Sequence, residues 1–233
     1  MNSHSLRPHG WSLIAASAGL LVTLLLRPSE QGLLDPAQTV AVGHRMVLVH
    51  SLALAILPLW LFGAIGIARR LAGRSWTGLA GMVAHGFAMM AMMNALVIDG
   101  LVTPDLAEGI VHAKPAGAVA WKVAFNHNAL LDAAFMRVAI VALSAAVFIW
   151  SLGSLRSAAF GRAIAIGGLL LGSAAIICQL TGWVSSQPLI FMLILLGQLI
   201  WFVSAGVSLV KGEERVGEKL REAWKVVAPA RAD

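Results

Sequence analysis

MVLVHSLALAILPLWLFGAIGIA, residues 46–68, holds one ionisable side chain, His50, and stops against Arg69 and Arg70. About 20 apolar residues cross the hydrocarbon of a bilayer as a helix. In lipid every backbone polar group must be satisfied within the protein, which leaves helices or closed barrels as spanning elements. This run has no apolar–polar alternation, so it reads as a spanning helix. Working outward, five more such runs appear at 11–26, 76–98, 129–151, 163–184 and 188–210. The chain therefore reads as an all-α, polytopic membrane helical bundle with six transmembrane helices. The run 11–26 follows Arg7 and leads into RPSEQGLLDP without a small-x-small cleavage site, so it reads as a retained span. Only SSQ separates the fifth run from Pro188, which predicts a tight helical hairpin.

Composition agrees. Of 233 residues, 59% are hydrophobic and 12% charged, with a mean hydropathy of +0.83. A soluble domain carries roughly a quarter charged residues. The length suits one six-helix domain, 1–210, with a tail, 211–233. The net charge of +6 might suggest nucleic acid, but the bases sit in short loops beside apolar runs, where they set topology. The single cysteine, Cys178, excludes an internal disulfide and a Cys-rich metal site. There is no HExxH, GxSxG, P-loop or dinucleotide fingerprint, and no tyrosine.

Orientation follows from the bases. Arg69, Arg70 and Arg74 lie between the second and third runs, and Arg156 and Arg162 between the fourth and fifth, with no acid in either loop. Short Arg- and Lys-rich loops stay cytoplasmic. Both termini are then cytoplasmic, and loops 27–45 and 99–128 face outward. Trp11, Trp76, Trp150 and Trp183 fall at span ends, where an aromatic belt is expected. Thr103-Pro104-Asp105 marks a helix start within the outer loop, with Thr103 as cap. In the tail, Val216, Leu220, Trp224 and Val227 recur at helical spacing among charges. That pattern suits an amphipathic helix on the inner membrane face or a docking helix for a partner.

Ionisable groups inside spans are costly and mark interior or cavity positions. Counting from the cytoplasmic anchors puts His50, Asn94, Asp99, Asp132, Arg137 and Gln179 in one layer near the outer surface, with His127 and Asn128 just beyond. Asn128 and Asp132 are four apart and share a helix face. Arg137 is badly placed for Asp132, and Asp99 on a neighbouring helix is its expected partner. The layer reads either as a set of helix-locking bonds or as a site for a small ligand, ion or proton.

The third run carries a stripe of Met82, His85, Met89, Met92 and Met93 on one face. Thioether and imidazole suit Cu(I), and His with Met can hold haem iron. Methionine also fills gaps in apolar packing. Pro58 is expected to kink its helix. Gly168 and Gly172, with Ala165, make a small-xxx-small face, for internal packing or for a membrane-protein partner. Gln198 is expected to bond across helices.

The segments LPLWLFGAIGIARRL (57–71), NALVIDGLVTPDLA (94–107) and FNHNALLDAAFMRVAIVALSAAVFIWS (125–151) resemble a group of bacterial six-helix inner-membrane proteins. The resemblance implies a bacterial inner-membrane location and the six-helix plan. It brings no activity and no site residue. Three functions follow from the residues: binding of a small ligand, ion or proton in the outer polar layer, with a carrier role as one use; a haem- or copper-binding redox protein; and a non-catalytic subunit of a larger membrane complex.

Overall fold

A computed structural model describes residues 5–28, 30–72, 76–183 and 188–227. Among them there is no strand. Seven α-helices form: α1 (Arg7–Leu26), α2 (Thr39–Ala72), α3 (Thr77–Val97), α4 (Thr103–His112), α5 (Pro115–Ser157), α6 (Arg162–Leu180) and α7 (Pro188–Val227). Six segments are long and apolar enough to cross a membrane, and the protein is a multi-pass membrane helical bundle. The hinge between the last two spans lies largely outside the described residues, as does Arg74.

Neighbours in sequence pack side by side, and α7 closes back on α1. The order α1–α2–α3–α5–α6–α7 is a ring. Short α4 lies across one end, against α2 and α5. We call this the α4 end, and the opposite one the arginine end.

The helices outrun the apolar stretches that predict them. α2 spans 34 residues and α5 spans 43, because polar residues continue a helix once lipid no longer limits its length. The expected outer loop 99–128 is therefore mostly helix, broken only around Ala113 and Lys114. α3 runs into α4 through one π-helical turn, Ile98–Val102. α7 continues as helix to Val227, through most of the tail. The tail's side chains lie outside the described residues, and with them its expected amphipathic face. α2 passes through Pro58 without interruption, and Pro58 is exposed on the outside of the ring rather than beside a cavity.

The interior of the arginine half is aromatic. Trp60, Trp150 and Phe202 are fully buried, with Trp201 beside them. Trp150 and Trp201 stack at 6.3 Å, and Phe202 meets Trp60 edge-on at 4.9 Å. The indole of Trp150 donates to Gly78 O and that of Trp201 to Ile164 O. Trp11, Trp76 and Trp183 are exposed as a belt requires, but Trp150 belongs to the core. Its ring reaches inward to α3, and the small Gly81 leaves room for it.

The arginines of this end hold structure as well as charge. His9 donates through Nδ1 to Phe62 O at 2.8 Å and accepts from Arg69 at 3.3 Å. Arg70 donates to Ala159 O at 2.7 Å and lies over the Phe160 ring. Gly168 and Gly172 are used inside the chain. A Cβ on Gly168 would run into Ser151 and Trp201, and one on Gly172 would sit 2.8 Å from Ser144 O. This face is covered by α5 and α7, so it offers no surface to another protein. Gln198 donates across the bundle to Ser144 Oγ at 2.7 Å, as expected.

Candidate functional site

The central residue is Asp99. It sits in the π turn, directly after the apolar run 76–98. A π turn bonds i to i+5, and Thr103 N–H reaches Ile98 O in that way. The inserted residue widens the helix, and such turns often occur at functional positions. The turn is braced twice. Thr103 Oγ donates to Ile98 O at 3.0 Å, and Asn128 Nδ2 donates to Thr103 Oγ at 2.8 Å. Thr103 was expected to cap α4. Instead it lies within the helix, where its hydroxyl satisfies a carbonyl of the turn.

Glycine follows Asp99 for a steric reason. A Cβ on Gly100 would overlap Cβ and the ring of His50. Its absence lets α2 approach the turn, and the His50 ring comes level with the Asp99 carboxylate. His50 Nε2 lies 2.9 Å from Asp99 Oδ2, and His50 Nδ1 lies 2.8 Å from Met46 O. Arg27, just past the end of α1, places Nη2 2.9 Å from the same Oδ2. His50 is buried, the Asp99 side chain is 13% exposed and that of Arg27 is 35% exposed.

The hydrogen bonding fixes a proton count. A peptide oxygen only accepts, so Nδ1 of His50 carries hydrogen toward Met46. Two lone pairs do not face one another at 2.9 Å, so one further proton lies between Nε2 and Oδ2. Arg27 donates to that oxygen as well, so Oδ2 of Asp99 takes hydrogen bonds from two neighbours. The set Arg27–Asp99–His50 is thus one hydrogen-bonded cluster inside the bundle.

This group forms the polar end of a cavity of about 110 Å³ inside the ring. Five of the six spanning helices contribute to its wall: Leu20, Thr23, Leu24 and Arg27 from α1; Val49, His50, Ala53 and Trp60 from α2; Met92, Ala95 and Leu96 from α3, with Asp99 in the following turn; Asp132 and Met136 from α5; Phe191, Leu195 and Leu199 from α7. Charged groups cluster at the α4 end. Trp60, ten residues along α2 from His50, marks a point about 15 Å deeper. The space is several times what one water needs.

The expected polar layer is smaller than the sequence implied. His50, Asp99 and Asp132 meet at the cavity, and Asn128 braces the turn behind them. Arg27 joins them. In sequence it is one base of the loop after the first apolar run, and its place there, level with Asp99, is the available signal. Asn94 is exposed and donates to Met90 O of its own helix, so it takes no part. His127 is exposed on the projecting part of α5. Arg137 does not pair with Asp99. It points to the outside of the ring, beside Val138 and Val141. Gln179 is buried on α6 but is not part of the cavity wall.

The stripe on α3 faces inward as expected for His85, Met89 and Met92, with Met82 half-buried, whereas Met93 is exposed. His85 is fully buried, with ring centroids of Trp60, Trp150 and Phe202 at 5.5–5.7 Å. Those rings fill the space a porphyrin needs beside the imidazole, so the residues do not fit haem. Met89 and Met92 belong to the apolar core cluster. Among the described residues no three His, Cys, Asp or Glu side chains come together as a metal site. The stripe thus packs as core and offers copper no donor beyond one caged imidazole and its thioether neighbours.

Comparison with family models, with curated proteins and with solved structures found no match in any of the three.

Proposed function

We propose that this membrane protein binds a small, mainly apolar molecule in its central cavity and exchanges a proton or hydrogen bond with that molecule's polar head through His50, Asp99 and Arg27. One observation carries the reading: the Arg27–Asp99–His50 cluster closes one end of a cavity whose remaining wall is apolar except for Thr23 and Asp132. Burying ionisable groups in lipid is costly, and helix locking alone explains neither the space beside them nor the convergence of five helices. Asp132 adds a second carboxylate to the polar end. The bias of arginine toward the other end supports cytoplasmic termini. The cavity then lies nearer the outer face of a bacterial inner membrane, reached from outside or from the outer leaflet. A carrier role follows if the molecule also leaves on the other side.

The test is chemical. Wild-type protein and an Ala53→Trp variant, which fills the cavity from α2, are purified in mild detergent. Organic extracts of both are compared by mass spectrometry. The expected result is a lipid-soluble compound near one per chain in wild type and depleted in the variant. Identical extracts containing only bulk lipid would remove the support for a bound molecule.

A further inference from the structure

Arg137 is the one charged span residue among the expected site residues that the cavity leaves unexplained. It sits eight residues past the start of the apolar run 129–151, so its Cα lies about 12 Å inside the apolar band. Its side chain is exposed on the outside of the ring, and no hydrogen bond or ion pair within the described residues reaches it. A guanidinium in hydrocarbon without an anion is expensive, and the long side chain relieves this by reaching toward the interface. It also heads an open groove of about 480 Å³ between α3 and α5, lined otherwise by Ala84, Phe87, Val138, Val141 and Ala142. The groove is apolar throughout below the cation. Phe87 and Val138 are 61% and 52% exposed. The bond from Trp150 to Gly78 sets the antiparallel register of the two helices. That register brings the exposed amide of Asn94 to about the height of Arg137.

We infer that this groove is a binding site for an anionic phospholipid of the outer leaflet. The head-group phosphate accepts from Arg137, and one acyl chain lies along the groove. Charge selects the occupant: a lone cation wants an anion, and the strip beneath it wants a hydrocarbon chain. One membrane molecule carries both. Free phosphate would leave the groove empty. The site is on the opposite side of the α3–α5 wall from the central cavity and does not rest on the proposed function.

The experiment is lipid retention in native mass spectrometry. Wild-type protein in neutral detergent is titrated with phosphatidylglycerol and with phosphatidylcholine of identical acyl chains. The expected result is phosphatidylglycerol held about tenfold more tightly. Arg137→Gln should bring the two lipids within about twofold, while Arg137→Lys keeps the preference. Val141→Trp, which blocks the groove and leaves the cation, should weaken retention of phosphatidylglycerol. Equal retention of both lipids by wild type overturns the proposal. So does a preference that survives Arg137→Gln, retention of phosphatidylglycerol that is unchanged in Val141→Trp, or a co-purifying acidic membrane protein that occupies the groove and is lost in Arg137→Gln.

Discussion

Replacing Asp99 by leucine removes one carboxylate and leaves two donors behind. The direct Coulomb term for the 2.9 Å Arg27 contact is about 6 kcal/mol at an effective dielectric of 20. Most of that is offset by the cost of taking the charges out of water. Arg27 is 35% exposed, so its share falls toward the surface range of about 1 kcal/mol. His50 is buried and loses its only partner at Nε2, which costs about 1–3 kcal/mol. The expected destabilisation is therefore about 2–4 kcal/mol. His50→Leu should cost a similar amount, because it leaves the carboxylate with Arg27 alone. The double variant should cost clearly less than the sum of the two, with a coupling of about 1–3 kcal/mol, since neither orphan then remains. Asp99→Asn is the milder change: the shape is kept, and one of the two contacts made at Oδ2 is retained by whichever amide atom takes that place, so about 1 kcal/mol is lost. The assay is loss of helical circular dichroism with added SDS, run on all four variants and wild type. Strict additivity, or an Asp99→Leu cost below about 0.5 kcal/mol, would refute the reasoning that a buried, proton-sharing pair holds this end of the bundle.

Gly100→Ala should separate α2 from the π turn, because the new Cβ overlaps His50; a loss of about 1–3 kcal/mol by the same titration is expected. Asn128→Leu leaves the hydroxyl of Thr103 without its donor and should cost about 1–2 kcal/mol, with faster amide exchange at 98–103 in hydrogen–deuterium measurements. Gly172→Val should destabilise the monomer by pushing α6 from α5, and light scattering should show its oligomeric state unchanged. His85→Leu removes two buried ring nitrogens that have no hydrogen-bond partner within the described residues. It should keep or raise stability, by up to about 2 kcal/mol in the SDS titration.

The spans were legible because lipid imposes one demand, hydrogen-bonded apolar length, and 46–68 meets it without ambiguity. Their ends were not, because that demand stops at the interface: α5 starts as early as Pro115 and α7 runs on to Val227, both beyond the apolar runs. Depth along each helix could also be counted, which is why His50, Asp99 and Asp132 were placed at one height. Azimuth could not be. Asn94 and Arg137 share that layer but face outward: Asn94 is five residues before Asp99 and Arg137 five after Asp132, about 140° round the helix in each case. No residue pattern in 98–102 announces the π turn there. Arg27 was missed for a related reason. Its role as a loop base fitted the charge count, and only the fold brings it to Asp99.

A cryo-electron microscopy map of the protein in lipid nanodiscs, at a resolution that separates side chains, tests the central claim most directly. The account predicts ordered non-protein density between Trp60 and Asp99, elongated along the bundle axis, with its polar end within hydrogen-bond reach of His50, Asp99 or Arg27. A cavity holding only scattered water, or one closed by repacking of Leu195 and Met92 onto Ala53, would contradict it.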